Sequence, residues 1–127
     1  MNANEDQPMP VVVTEASGAA VWDLVLADPR VPEWLRSIIV ERDALGVSRY
    51  GQRLRVHNGR DALLDAFQEA LDLWVYLKQC EMRALEVATD GSAAHQLRAN
   101  GITFHVEQIF KTTLWLGALV QSKTELL

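Results

Sequence analysis

The stretch that decides the fold is Arg60–Leu85, RDALLDAFQEALDLWVYLKQCEMRAL. It contains neither glycine nor proline, and strong helix formers dominate it. Asn58-Gly59 directly before it is a strong turn signal, and Asp90-Gly91-Ser92 after it breaks the pattern. The stretch therefore predicts one long helix that begins near Arg60.

This helix has two chemically different faces. At about 100° per residue, four carboxylates fall within roughly 80° of one another, with Tyr76 on the same side. They are Asp61, Asp65, Glu69 and Asp72. The opposite face is apolar and is predicted to pack against the rest of the protein: Leu63, Ala66, Phe67, Ala70, Leu73, Trp74 and Leu77.

Shorter helices are predicted on both sides of this central helix. Upstream they are Thr14–Ala27, ended by Asp28-Pro29, and Pro32–Leu45, with Gly46 as its stop. Downstream, a short helical piece at Ala93–Arg98 and a break at Asn100-Gly101 precede a last helix from Ile102. Its apolar stripe is predicted to be Ile102, Val106, Ile109, Phe110, Thr113, Leu114, Gly117 and Val120. The expected fold class is all-α, a bundle of about four helices around one long central helix.

Length and composition describe one globular domain. A chain of 127 residues with 49% hydrophobic and 23% charged residues can bury a core of its own. Residues 1–13 are expected to be a flexible leader, and residues 14–127 a single helical domain. Trp22, Trp34, Trp74 and Trp115 lie in helical segments and are expected in the core, with an aromatic interface or a base-stacking platform as the alternative.

Several classes of protein are excluded. A net charge of −5 argues against a general nucleic-acid binder, which would carry a basic face. The longest strongly apolar run, Leu114–Val120, is far shorter than the roughly 20 residues of a membrane-spanning helix. Met1–Pro10 lacks the order of a signal peptide, and a single cysteine allows no internal disulfide. We therefore expect a cytoplasmic protein.

The acidic stripe is a candidate metal site. Like charges four residues apart repel, and no lysine or arginine lies between Asp61, Asp65, Glu69 and Asp72. Mg²⁺ takes oxygen ligands and is often held by one or two carboxylates together with substrate phosphates. The stripe therefore predicts bound Mg²⁺ or Mn²⁺, with a plain solvated face as the alternative.

The loop before the long helix concentrates positive charge in an acidic protein. It carries four arginines that are candidate phosphate ligands: Arg49, Arg53, Arg55 and Arg60. Arginine forks match phosphate oxygens, and a helix N-terminus favours anions. The loop thus predicts a phosphate site near the first acidic turns, with ion pairing inside the protein as the alternative. No P-loop, dinucleotide fingerprint or hydrolytic triad occurs, so no residue is assigned as catalytic.

The stretch Glu41–Gln79 resembles a family of small proteins common in bacteriophage genomes. The shared pattern is R-x-x-x-G-x-x-x-YG-x-x-L followed by NGRDAL-x-DA-x-QEALDL-x-VYL. Matching positions are Arg42, Gly46, Tyr50, Gly51, Leu54, Asn58, Gly59, Arg60, Asp61, Asp65, Glu69 and Asp72. Asp23–Asp28 is similar to the start of that family, whereas the chain beyond Met82 is not covered by the resemblance.

That phage family resembles, more distantly, the MazG-like all-α nucleoside triphosphate pyrophosphatases. Those enzymes hold Mg²⁺ with an E-E-x-x-E set and an E-x-x-D set on two helices, and are usually oligomers. Glu69-Ala70-Leu71-Asp72 fits the second set, whereas the preceding helix offers only Glu33, Glu41 and Asp43 in place of the first. The resemblance implies a homo-oligomer that handles a nucleotide phosphate.

Two functional hypotheses follow. The first is a phage-type, MazG-like protein that hydrolyses a nucleoside triphosphate, with Glu69 and Asp72 as metal ligands and Asp65 or Asp61 assisting. The second is a non-enzymatic phage accessory protein that binds a host protein or sequesters a nucleotide signal in the host cytoplasm. The first is the leading hypothesis, and the second is the alternative, which the incomplete carboxylate set and the apolar segment Leu114–Val120 support.

Overall fold

The computed structural model describes residues 3–126, with side chains as far as Ser122. A 3₁₀ turn at Glu15–Ser17 precedes four helices: α1 (Val21–Leu26), α2 (Glu33–Tyr50), α3 (Ala62–Ala88) and α4 (Ala93–Leu126). Within residues 3–126 there is no strand, only an isolated bridge between Ala20 and Arg55. The predicted all-α fold with a long helix beginning near Arg60 is confirmed. None of the described helices is both long and apolar enough to cross a bilayer.

Two helix ends predicted at glycines are wrong. The second helix continues through Gly46 and ends at Gly51, whose φ of 74° is the left-handed conformation that terminates helices. The last helix runs without interruption through Asn100-Gly101, where the sequence predicts a break. A glycine inside a helix costs only about 1 kcal/mol, so a helix that is otherwise stabilised continues through it. By contrast, Gly18 with φ 75° does interrupt the first predicted helix.

The chain forms two compact units. The N-terminal unit comprises Gln7–Arg60, and the hairpin unit comprises Met1–Asp6 and Asp61–Leu127. The first contains α1 and α2, and the second contains α3 and α4. The single domain predicted for residues 14–127 stays a prediction.

In the hairpin unit, α3 and α4 pack along their whole shared length as an antiparallel pair. The rings of Trp74 and Phe110 lie 5.0 Å apart. The Phe67 ring lies so close to α4 that a Cβ added to Gly117 would be 3.0 Å from it. Near the turn, the contact is made by a cluster of small residues with one larger neighbour: Ala84, Ala88, Ala99 and Ile102. Small residues near the turn and aromatic residues farther along set the helix separation.

The packed faces are narrower than the sequence predicts. On α3, Leu64 is buried, whereas Leu73 of the predicted face is 44% exposed. On α4, Val106, Thr113 and Val120 are buried as predicted, but Leu114 is 58% exposed. Two antiparallel helices bury a narrow seam with three- and four-residue spacing, and apolar residues flanking the seam remain outside it.

One carboxylate lies inside this seam. The Glu81 side chain is 7% exposed and accepts a hydrogen bond from Lys78 Nζ at 2.7 Å. Hydrogen bonds from Lys78 and Thr103 hold the pKa of Glu81 below its usual value. The buried charge is therefore paired, as burial requires.

The turn between α3 and α4 is held by local hydrogen bonds. Gly91 adopts φ 79°, and the backbone N–H of Ser92 donates to Asp90 Oδ1 at 2.8 Å. The hydroxyl of Ser92 accepts from the backbone N–H of His95 at 3.3 Å, close to the start of α4. The predicted break at Asp90-Gly91-Ser92 is confirmed.

In the N-terminal unit, two extended segments lie side by side. Backbone N–H groups of Val21, Val56 and His57 donate to carbonyls of the opposite segment at 2.9 to 3.0 Å. The guanidinium of Arg36 donates to the carbonyl of Leu26 at 2.9 Å, which binds α2 to the end of α1. The three backbone hydrogen bonds hold the loop after α2 against the segment that leads into α1.

Arg53 joins three parts of the N-terminal unit. Its Nη2 atom lies 2.6 Å from Asp23 Oδ1 on α1 and 2.8 Å from Asp43 Oδ2 on α2. The hydrogen bonds from Arg53, with a smaller contribution from the charge of Arg55, lower the pKa of Asp23. One guanidinium on the loop therefore binds both helices, which is the internal pairing that the sequence left as an alternative for this arginine.

Replacing Arg53 by glutamine removes the cation between Asp23 and Asp43, and we expect a lower free energy of unfolding at pH 7. Folding lowers the pKa of Asp23. Its contribution to the free energy of unfolding is therefore fully present at pH values above the ordinary carboxyl pKa of about 4. It is lost as the pH falls through the lowered pKa. The difference in free energy of unfolding between wild type and variant should therefore become smaller below about pH 4. Urea unfolding followed by circular dichroism measures it.

Arg42→Gln is the matched control, because it removes the same charge from an exposed position on α2. Its unfolding free energy should equal that of the wild type at every pH. An Arg53→Gln effect that is constant with pH would contradict the ion-pair explanation.

Two glycines of α2 give a direct test of where this helix ends. An added Cβ meets nothing within 4 Å at either Gly46 or Gly51, so the two positions differ in backbone conformation alone. Gly46→Ala should raise the free energy of unfolding by about 1 kcal/mol, because Gly46 is helical. Gly51→Ala should lower it by about 1 kcal/mol, because its φ is positive. Urea unfolding of both variants measures the difference, and equal signs would contradict the helix end at Gly51.

Candidate functional site

The acidic stripe begins at the N-terminus of α3. Asp61 is the N-cap residue, and its Oδ1 accepts hydrogen bonds from the backbone N–H groups of Leu63 and Leu64, both at 3.1 Å. These bonds satisfy two of the four free amides at the helix start. Asp61 therefore has a structural role in addition to any role as a ligand.

Farther along α3 the carboxylates become exposed. Asp65 is half-buried in the first turn, whereas Glu69 and Asp72 are exposed. Neither Glu69 nor Asp72 makes a hydrogen bond or ion pair within the part of the chain that the structure describes. Being three residues apart, they lie about one turn apart on the same side of the helix. Their oxygens are available to a ligand from solution.

The structure brings no complete metal cage together. Over the described residues, no three side chains of histidine, cysteine, aspartate or glutamate converge on a point where a metal ion could sit. This agrees with the absence of an E-E-x-x-E motif from the sequence. Two exposed carboxylates nevertheless fit Mg²⁺, which usually keeps several waters and takes phosphate oxygens as further ligands.

The leader contacts α3 beside the stripe. Gln68 Nε2 donates to the carbonyls of Ala3 and Glu5 at 3.0 and 3.1 Å. Gln68 directly precedes Glu69 and is three residues from Asp65. Sequence reasoning did not single out Gln68, because a glutamine in a helix carries no signal for a partner more than 60 residues away.

The four candidate phosphate arginines all belong to the N-terminal unit, and they differ in what they contact. The guanidinium of Arg53 is bound by two carboxylates. That of Arg60 donates to the carbonyls of Pro8 and Gln7 at 2.6 and 3.4 Å. Arg49 is exposed, with its guanidinium carbon 5.2 Å from the centre of the Tyr50 ring.

Arg55 is the exception among them. The residue is half-buried, and its Nε atom is buried without a hydrogen-bond partner among the described groups. A buried donor without a partner is uncommon in folded proteins. Of the four arginines, Arg55 is therefore the one with a buried donor atom that lacks a partner among the described groups.

The hairpin unit also carries an apolar groove. It has a volume of about 370 Å³ and lies between α3 and α4 toward the start of α3. It is lined by Phe67, Leu71, Trp74, Phe110, Thr113, Leu114, Gly117, Ala118 and Gln121. Its volume falls in the range of small-molecule sites. The sequence predicts these apolar side chains but not the groove, which depends on how α3 and α4 are spaced.

Comparisons with known proteins leave the family undetermined. No family model, no curated protein and no solved structure matches the chain.

Proposed function

We propose that the chain binds the phosphates of a nucleotide through Mg²⁺ or Mn²⁺ held by Glu69 and Asp72. The observation that carries this proposal is the pair of exposed carboxylates one turn apart on α3, without partners among the described residues. We also propose that Asp65, one turn earlier on α3, assists by binding a water of the same ion. The nucleotide is inferred from the resemblance of Glu41–Gln79 to phage proteins and MazG-like enzymes.

The proposed reaction is pyrophosphohydrolysis. A water oxygen attacks the α-phosphorus of a nucleoside triphosphate, and the bond from that phosphorus to the bridging oxygen breaks. The products are the monophosphate and pyrophosphate, with release of a proton. A metal ion held by Glu69 and Asp72 would neutralise phosphate charge and lower the pKa of a water molecule. Glu69 and Asp72 position it, because α3 is a rigid element anchored by α4.

Arg55 is a better candidate for phosphate binding than Arg53. The guanidinium of Arg53 already binds Asp23 and Asp43, and freeing it would leave two carboxylates without their cation. The Nε atom of Arg55 has no partner to lose. We therefore propose Arg55 as an anion ligand of the N-terminal unit by itself, with Arg49 as the exposed alternative in the same unit.

A second function, binding without turnover, is supported by the absence of a third metal ligand from the described residues. In this alternative the protein sequesters a nucleotide, or binds a host protein through the apolar groove of the hairpin unit. Release of an intact nucleotide after denaturation of the complex would support sequestration, whereas product formation would support the enzyme.

The metal proposal makes a specific prediction about Glu69 and Asp72. Glu69→Gln and Asp72→Asn should each weaken Mn²⁺ binding at least about tenfold, because each removes one anionic ligand. Their combination should abolish formation of monophosphate and pyrophosphate from a panel of ribo- and deoxynucleoside triphosphates. Mn²⁺ binding is measured by electron paramagnetic resonance, and the products by ion-exchange chromatography.

Glu86→Gln serves as the control, because it removes an exposed carboxylate near the other end of α3. It should leave both metal binding and product formation unchanged. Wild-type protein that binds no Mn²⁺, with or without nucleotide, would refute the metal site. Binding without products would refute only the hydrolase.

A further inference from the structure

The middle of the leader is bound along its backbone within the N-terminal unit. The backbone N–H of Val11 donates to the carbonyl of Asn58 at 2.9 Å, and the carbonyl of Val11 accepts from Gln52 Nε2 at 2.6 Å. Nearer the N-terminus, the carbonyl of Pro8 accepts from Arg60 Nη1 at 2.6 Å. On the leader, all of these hydrogen bonds use main-chain groups, which almost any amino-acid sequence supplies.

One side chain of the leader lies against a glycine. A Cβ added to Gly59 would be 2.7 Å from Cγ1 of Val11, so a larger residue at position 59 would displace the valine. Gly59 also has φ 78°, which favours glycine. The hydrogen-bonding groups and this glycine together form a site for an extended chain. We call this set the leader site: Gln52, Asn58, Gly59 and Arg60.

The segment that occupies the leader site adds little to the core of the N-terminal unit. Met9 is 61% exposed and Val11 53%, and Val12 directly after them is 82% exposed. The other segment that pairs with this loop is different, because its Ser17 and Ala20 are each 4% exposed. A segment that buries few side chains separates from a protein at a low cost in free energy. We therefore expect the occupant of the leader site to be exchangeable.

The sequence of the occupant defines the chemistry of a ligand that replaces it. Gln7–Val13, QPMPVVV, carries no charge and has prolines at positions 8 and 10. Proline fixes φ and keeps a short peptide extended, so less conformational entropy is lost when the peptide binds. Main-chain hydrogen bonds with a seat for one side chain are a recurring way in which proteins bind extended peptides. The leader site thus has the properties of a peptide-binding site.

We propose that the leader site binds an extended, uncharged Pro-x-Pro-Val segment of a partner protein, and that Gln7–Val11 is an exchangeable internal ligand of this site. The valine of the partner segment lies against Gly59, and the carbonyl of its first proline accepts from Arg60. All residues of the site belong to the N-terminal unit. The proposal does not depend on metal or nucleotide binding.

A peptide with the sequence of Gln7–Val13, labelled with fluorescein, is the probe. Its Kd for the full chain is measured by fluorescence anisotropy at protein concentrations up to about 1 mM, the order of the internal ligand's effective concentration. Val11→Gly in the protein should lower the apparent Kd at least about threefold, because loosening the internal ligand raises the fraction of empty sites. Val12→Gly makes the same change at an 82% exposed position and should leave the Kd unchanged.

The contacts with the peptide are tested one group at a time. Methylation of the peptide nitrogen at Val11 removes the donor to the carbonyl of Asn58 and should raise the Kd at least about tenfold. Met9→Ala in the peptide alters an exposed side chain and should have no effect. In the protein, Gln52→Ala is combined with Val11→Gly, since it also loosens the internal ligand. This double variant should bind the peptide at least about threefold more weakly than Val11→Gly alone.

Hydrogen exchange of the wild type needs no substitution. Excess unlabelled peptide should accelerate exchange of the Val11 amide of isotopically labelled protein, because the displaced leader no longer donates to Asn58. Amides inside α2 should exchange at an unchanged rate. Nuclear magnetic resonance measures both sets of amides in one experiment.

Three results would each overturn the proposal. The first is a peptide that binds neither the wild type nor Val11→Gly at protein concentrations up to about 1 mM. The second is a peptide that binds equally well with a methylated nitrogen at Val11, since the leader site requires that N–H group. The third is bound peptide that leaves the exchange of the protein's Val11 amide unchanged, because the two segments would then occupy different places.

Discussion

The antiparallel contact of α3 with α4 is the interaction on which the hairpin unit depends. It combines the alanine cluster near the turn with the Trp74–Phe110 contact farther along. Residues at both ends of the contact bury apolar surface, which is the main favourable contribution to folding. Because the seam is narrow, it also decides which side chains of both helices remain available to other molecules.

Two surfaces are left outside this seam, and they differ in chemistry. On α3, the exposed pair Glu69 and Asp72 offers carboxylate oxygens to a cation. On α4, Phe104 and Leu114 offer apolar area beside charged residues of both signs. A long helix that packs through one stripe can present a different surface on each of its other sides. The hairpin thus presents two chemically different surfaces outside its seam.

The N-terminal unit relies on polar contacts to a greater extent. Arg53 binds α1 and α2 through Asp23 and Asp43, and few of the unit's large apolar side chains are fully buried. Arg53, which the sequence predicts as a candidate phosphate ligand, is therefore a structural residue. No local pattern predicts this, because its two partners lie 30 and 10 residues away along the chain.

The sequence by itself determined the all-α class, the long helix α3 and the turn at Asp90-Gly91-Ser92, because periodicity, propensity and turn chemistry act over a few residues. It also placed Glu69 and Asp72 on one side of α3. Only the tertiary structure decided that α4 continues through Gly101, since packing on α3 outweighs a glycine. Tertiary contacts likewise decided which of the apolar sides of α4 is buried, because both sides satisfy the same helical spacing and only the position of α3 distinguishes them.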